Sequence, residues 1–267
     1  VILITLKGVD ARNYEEAAGM LRSIIGTAAL RFQFLADSPR LSNEDKSLYR
    51  QLIKIDDSGK QGFSMPPEVL ADSLRMLSEL LRKHYGQNVI LLIDEYDVPL
   101  DKAQQAGYYD EMVTLIRSLF GQALKTNDSL YFAVLTGCLR IAKESIFTGL
   151  NNMNVFSTTS TQMGEYFGFT DDEVTEMLRY YGLEDNFETV KKWYDGYRFG
   201  TAQVYCPWDV INYCRDARFQ PEAFPRAYWI NTSGNDIIRE FIRMATPGTR
   251  REIEALVAGE TVTHRIR

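Results

Sequence analysis

Apolar residues fall into three short unbroken runs separated by long stretches of helical periodicity. The runs are Val1-Ile2-Leu3-Ile4-Thr5-Leu6, then Val89-Ile90-Leu91-Leu92-Ile93, then Leu130-Tyr131-Phe132-Ala133-Val134-Leu135. Runs of this length and composition suit strands covered on both faces, as in the middle of a parallel sheet. Between the first two, Asn13 and Glu16 form a capping box that opens a helix. Its apolar positions Ala17, Met20, Leu21, Ile24, Ile25, Ala28 and Leu35 keep helical spacing to about Leu35. A short helical piece passes through Leu48, Leu52 and Ile53. The next helix opens at Pro66-Pro67-Glu68, carries Val69, Leu70, Leu74, Leu77 and Leu81, and stops at Gly86. A helix over 108–125 links the second and third runs, and a last short strand is expected near Asn154-Val155-Phe156. Strands alternating with long helices predict an α/β domain built on a parallel sheet.

Beyond Thr161 the pattern changes. Thr170-Asp171-Asp172-Glu173 is a capping box for a helix through Val174, Met177, Leu178 and Tyr181, ended by Gly182. A second helix over 184–194 leads into an aromatic-rich turn over 194–200. Helical patterns return over 236–244 and 249–258. The concentration of Tyr, Trp and Phe between them predicts the packing of a small second domain. The expected division is therefore 1–162 for the α/β core and 163–267 for a mainly helical domain.

Composition narrows the function classes. The 267 residues carry a net charge of −6, which speaks against a broad nucleic-acid-binding surface. No apolar run reaches the ~20 residues that span a bilayer. Three widely spaced cysteines (Cys138, Cys206, Cys214) and two histidines give neither a disulfide framework nor a zinc site, and a reducing cytoplasm is the expected setting. The chain opens inside a core strand without methionine, so further sequence is expected upstream.

The candidate chemistry sits where the second run ends in Asp94-Glu95-Tyr96-Asp97. Ligands of parallel sheets bind at the carboxyl ends of the strands. An apolar strand ending in two acids has the form of a Walker B strand. Its first acid, Asp94, would hold Mg²⁺, and its second, Glu95, would polarise a water against a phosphate. A core strand whose polar end marks a loop fits the run equally well. The third run ends in Thr136, the position of a γ-phosphate sensor. Arg140 lies within reach of a phosphate, or of an ordinary surface ion-pair partner. No GxxxxGK[ST] loop occurs in the chain, and no GxSxG motif marks a serine hydrolase. A metal-dependent nuclease is poorly supported, since the nearest Glu-x-Lys, Glu44-Asp45-Lys46, stands in a helical context.

Six segments, taken in order, carry a family resemblance. They are Leu-Leu-Ile-Asp-Glu-Tyr-Asp (91–97), Leu-Thr-Gly-Cys-Leu-Arg-Ile-Ala-Lys-Glu-Ser-Ile-Phe-Thr-Gly-Leu-Asn-Asn (135–152), Tyr-Phe-Gly-Phe-Thr (166–170), Trp-Tyr-Asp-Gly-Tyr-Arg-Phe (193–199), Tyr-Cys-Pro-Trp-Asp-Val (205–210) and Tyr-Trp-Ile-Asn-Thr-Ser (228–233). The chain resembles the bacterial AAA-ATPase-like family. The resemblance implies an ASCE-type P-loop NTPase-like core whose first strand and P-loop are missing from this sequence, followed by a helical or winged-helix-like lid. It implies ATP and Mg²⁺ as ligands, Asp94 as metal ligand, and Glu95, Thr136 and Arg140 as catalytic or sensor residues. Arg198 is implied as a lid arginine on the γ-phosphate, with a structural Asp195–Arg198 pair as the alternative. Asp97 is expected to fix the loop after Glu95. A C-terminally fused nuclease-like domain is an implied partner. The rival reading is a degenerate, non-hydrolysing ATPase-like scaffold that regulates such a nuclease-like domain.

Overall fold

The computed structural model describes residues 1–56, 62–125, 127–138, 146–147, 153–157, 160, 162–220, 223–229 and 242–263. The chain divides into two compact units, Val1–Met153 and Asn154–Arg267.

The first unit is built on three parallel strands in the order β1 (Ile2–Thr5), β2 (Val89–Asp94) and β3 (Leu130–Leu135). Helices α1 (Tyr14–Leu30), α2 (Asn43–Leu52) and α3 (Pro67–Tyr85) lie between β1 and β2, and α4 (Val98–Ala106) and α5 (Tyr109–Leu124) between β2 and β3. Local signals account for most of the boundaries. Asn13 accepts the Glu16 N–H, but Glu16 reaches back to the Arg12 N–H, so the expected capping box is only half formed. The chain leaves α1 at Leu30 and makes a 3₁₀ turn over Gln33–Asp37, which places Leu35 in the core outside the helix. Gly86 ends α3 in the left-handed conformation, φ 70°. The triplet Glu44-Asp45-Lys46 is helical, and Asp45 is occupied by Lys83 and by the Ser42 capping box.

The register assigns each residue to a face. Ile2, Ile4, Leu91 and Ile93 share one face, are buried, and join α1, α3 and α5 in a single core. Leu3, Leu92 and Val134 align on the other face, together with Ile90 and Phe132. Here the expectation of a doubly covered sheet fails. Leu3 is 50% exposed, Phe132 56% and Val134 39%, and Ile90 and Leu92 are only half buried. The reason is handedness: strands added in one direction through right-handed crossovers carry their helices on one face only. The expected strand at Asn154-Val155-Phe156 is also not formed. Among the described residues β3 pairs only with β2, so no neighbouring ladder satisfies that segment's backbone groups.

In the second unit the Thr170 capping box opens α6 (Asp171–Tyr181) as expected. A 3₁₀ turn over Glu184–Asn186 precedes α7 (Phe187–Tyr194). The aromatic-rich segment that follows is an antiparallel hairpin, β4 (Asp195–Phe199) and β5 (Ala202–Tyr205), where the sequence pattern predicted a turn. Phe169 bridges Tyr205 alongside it. Gly168 permits that approach, because a Cβ there would lie 2.6 Å from the Tyr205 carbonyl oxygen. Helices α8 (Pro207–Phe219) and α9 (Pro247–Val257) follow. Val174, Leu178, Val190, Tyr205 and Tyr213 form the core of this unit. The buried Asp209 carboxylate accepts the Tyr228 and Trp229 N–H groups at 2.8 and 3.0 Å, so the Pro-Trp-Asp and Tyr-Trp segments are one structural lock. The helix expected over 236–244 lies largely outside the described residues.

Candidate functional site at the carboxyl edge of the sheet

The carboxyl ends of all three strands meet on one edge of the first unit. Thr5 stands opposite Asp94, and the Leu6 N–H donates to the Asp94 carbonyl at 2.9 Å. On the other side, the Thr136 N–H donates to Ile93 O at 2.9 Å and the Tyr96 N–H to Thr136 O at 3.0 Å. These bonds extend the ladder past β3 and bring the two polar strand ends together. Thr136 Oγ1 donates to Asp94 Oδ1 at 2.5 Å. Strand alternation puts Asp94 on the same face as Ile90 and Leu92, so the pair stands at the carboxyl rim of the uncovered face.

Glu95 leaves the strand with φ 53°, a left-handed conformation that few non-glycine residues adopt. Such backbone strain recurs at functional sites. Its carboxylate is 3.9 Å from Lys7 Nζ, in the loop after β1. Asp97 is buried, and its carbonyl accepts the Leu100 and Asp101 N–H groups of the first turn of α4. The Asp97 side chain lies against Gly137, where a Cβ would meet Asp97 Oδ1 at 2.6 Å and Tyr96 Cε1 at 2.8 Å. The next residue, Cys138, is exposed and free. Partial burial pushes its thiol pKa up, and the charges of Asp97, Glu95 and Asp94 add to the shift.

The structure thus brings together Asp94, Glu95 and Thr136, with Asp97 behind them. Arg140 lies outside the described residues. Arg198 belongs to the second unit, exposed on β4 opposite Gln203, while the Tyr197 and Phe199 rings stack on the alternate face at 6.2 Å. The alternative Asp195–Arg198 ion pair is not found among the described residues. Sequence reasoning passed over Lys7 and Cys138. Cys138 was findable as the second residue after Thr136, whereas Lys7 becomes a neighbour only through the β1–β2 register.

The donor set suits Mg²⁺. That ion keeps several waters and is held by one or two carboxylates together with substrate phosphates. Asp94 presents a carboxylate to such a shell, and Thr136 Oγ1 is hydrogen-bonded to it. No group of three His, Cys, Asp or Glu side chains that would enclose a metal is present among the described residues. Nor is any helix among them long and apolar enough to cross a membrane.

The chain is 29% identical over 160 residues to the "Uncharacterized protein in vnfD 5'region" of Azotobacter chroococcum mcd 1. The match covers 58% of this chain and only 29% of that relative. No solved structure matches the chain. The family model described as "Predicted AAA-ATPase" matches residues 1–147, the segment that holds all three strands and the Asp94–Thr136 pair, and the chain belongs to this AAA-ATPase-like family.

Proposed function

We propose that this chain is the ATP-binding and ATP-hydrolysing module of a longer polypeptide, with Asp94 holding Mg²⁺, Glu95 orienting or activating the attacking water, and Thr136 reading the γ-phosphate. The observation that carries the reading is the Asp94–Thr136 hydrogen bond at the carboxyl ends of adjacent parallel strands. Mg²⁺ bound there would neutralise phosphate charge. Asp94 supplies its carboxylate oxygen, Thr136 fixes that carboxylate, and Glu95 offers the next acid along the chain.

The open sheet face supports the same reading. One strand laid on the free edge of β3 and returning to β1 by a right-handed crossover travels against the direction β1–β2–β3. Its helix therefore falls on the uncovered face, over Leu3, Leu92 and Val134. The order in which strands are added would then reverse beside β3, and ligands bind in α/β sheets at such a switch point. The N-terminus of the crossover helix would stand beside Thr136 and Asp94, and helix N-termini bind phosphate. In this proposal a phosphate-binding loop elsewhere in the polypeptide completes the site. The family resemblance would make the second unit, with α6, α7 and the β4–β5 hairpin, the lid.

The test is equilibrium binding of ATP to the intact polypeptide, with and without Mg²⁺. The account expects Mg²⁺ to tighten binding and Asp94→Ala to remove that dependence. ATP binding that is absent, or indifferent to both, sinks the proposal and favours the non-hydrolysing scaffold.

A further inference from the structure

Helix α8 carries apolar side chains on two sides, and the second unit buries one of them. Val210, Tyr213, Cys214 and Ala217 recur at helical spacing on the inner side and belong to the core of that unit. The outer side carries Trp208, Ile211, Arg215, Arg218 and Phe219, all of them exposed. Trp208 and Ile211 are 48% and 49% exposed, and Phe219 is 80% exposed. The steps from 208 to 211, 215 and 218 alternate three and four residues, the spacing of a seam that packs on another helix. Phe219 flanks its last position. From Trp208 to Phe219 the seam runs for about 16 Å at the rise of an α-helix.

The acids of α8 are already engaged. Asp209 is buried beneath the Tyr228 and Trp229 N–H groups. Asp216 accepts from Arg226 at 2.6 Å, from the Tyr228 hydroxyl at 3.0 Å and from Arg215 at 3.5 Å. Among the described residues Arg218 has no carboxylate partner, and its guanidinium lies 6.0 Å from the Phe219 ring. Arg226 and Phe219 line one cavity, so a third arginine joins this side of the helix. A cationic face results on a chain whose net charge is −6. Exposed tryptophan, phenylalanine and arginine, with no lysine or glutamate on the seam, are the residue types that dominate protein–protein hot spots.

We propose that this face of α8 docks an acidic amphipathic helix of a partner protein. Its apolar positions meet Trp208, Ile211 and Phe219, and its carboxylates meet Arg215 and Arg218. The seam spacing selects a helix, and the charge selects its sign. A second copy of this chain would set the arginines of one short seam against those of the other, and like charges across an interface select against that pairing. The inference stands independently of the nucleotide reading. Solvent-exposed arginines contribute more to association rate and specificity than to affinity. The expected complex is therefore transient and salt-sensitive, with a Kd on the order of 10–100 µM.

The test follows fluorescence polarisation of labelled synthetic peptides titrated with the intact polypeptide. The peptides are helical, about two heptads long, with leucine or phenylalanine at seam spacing and glutamate beside it; a matched set carries lysine in place of glutamate. Glutamate peptides should saturate and weaken as salt rises, and lysine peptides should not bind. Ile211→Glu, and Arg215→Glu combined with Arg218→Glu, should each weaken binding at least about tenfold. Their unfolding midpoints should match the parent's, since the altered side chains are exposed. Lysine peptides that bind as tightly, glutamate peptides that fail to saturate by about 1 mM, or variants that bind like the parent overturn the proposal. A concentration-dependent dimer broken by the same variants also overturns it and gives the face to a second copy. Capture by phosphatidylserine vesicles without any peptide binding, lost in the same variants, overturns it in favour of a lipid surface.

Discussion

Ile93 and Phe132 lie on neighbouring strands of the same sheet but on opposite faces, and the structure assigns them opposite energetics. Ile93 is 1% exposed within the core of the first unit. Ile93→Ala removes three buried carbons and leaves a cavity, costing roughly 2–5 kcal/mol. Phe132 is 56% exposed, so less than half of its surface is withdrawn from water. Full burial of a phenylalanine is worth up to about 3 kcal/mol, so Phe132→Ala costs about 1 kcal/mol in this chain. If a crossover helix covers the same face in the intact polypeptide, as proposed, the cost of Phe132→Ala rises there toward about 3–5 kcal/mol. Hydrogen exchange at the β2 and β3 amides is the suitable assay, because Trp193, Trp208 and Trp229 all lie beyond Met153 and report on the other unit. If Phe132→Ala costs the same in the short chain and the intact polypeptide, the proposed sheet completion is wrong. If it costs as much as Ile93→Ala in the short chain, the assignment of faces is wrong.

Gly137→Ala should destabilise the first unit by about 1–3 kcal/mol, since its Cβ would press on the buried Asp97 side chain and the Tyr96 ring; a chemical denaturation curve followed by circular dichroism checks it, and an unshifted midpoint refutes it. Asp209→Ala leaves the Tyr228 and Trp229 N–H groups without their acceptor. It should cost roughly 1–3 kcal/mol, read as an earlier loss of Trp208 and Trp229 fluorescence on heating. Asp171 has its pKa lowered by hydrogen bonds from Tyr205 and then Lys191. A folded pKa below the unfolded one means this contribution is complete at neutral pH. It disappears as pH falls from the ordinary value of 3.8 through the depressed folded value. Asp171→Asn should therefore flatten the acid limb of the second unit's stability profile, and a limb as steep as the parent's would refute this.

Much of the fold was legible because its signals are local. The Val/Ile/Leu runs marked all three strands, Gly86 and Gly182 marked helix ends, and Thr170 with Glu173 marked a helix start. What stayed hidden depends on partners distant in sequence. An apolar run does not reveal which of its faces is covered, because that depends on the direction in which neighbouring strands are added. The segment 154–156 has strand composition and remains irregular for want of a ladder. Helix α4 escaped notice because Pro99 in its first turn reads as a loop, and the β4–β5 hairpin because Gly196 and the packed aromatics mimic a turn. At the site, Asp94, Glu95 and Thr136 were visible as strand ends. Their joining through the Thr136–Asp94 bond, and the arrival of Lys7 beside Glu95, follow from register alone.

The most direct test of the central claim is the rate of phosphate release from MgATP by the intact polypeptide, compared with its Glu95→Gln variant. The account predicts measurable Mg²⁺-dependent turnover in the parent, and a loss of at least about a hundredfold when the carboxylate becomes an amide, the lower range for removal of a general base. Turnover that survives Glu95→Gln undiminished, or a parent that binds MgATP and never hydrolyses it, would contradict it.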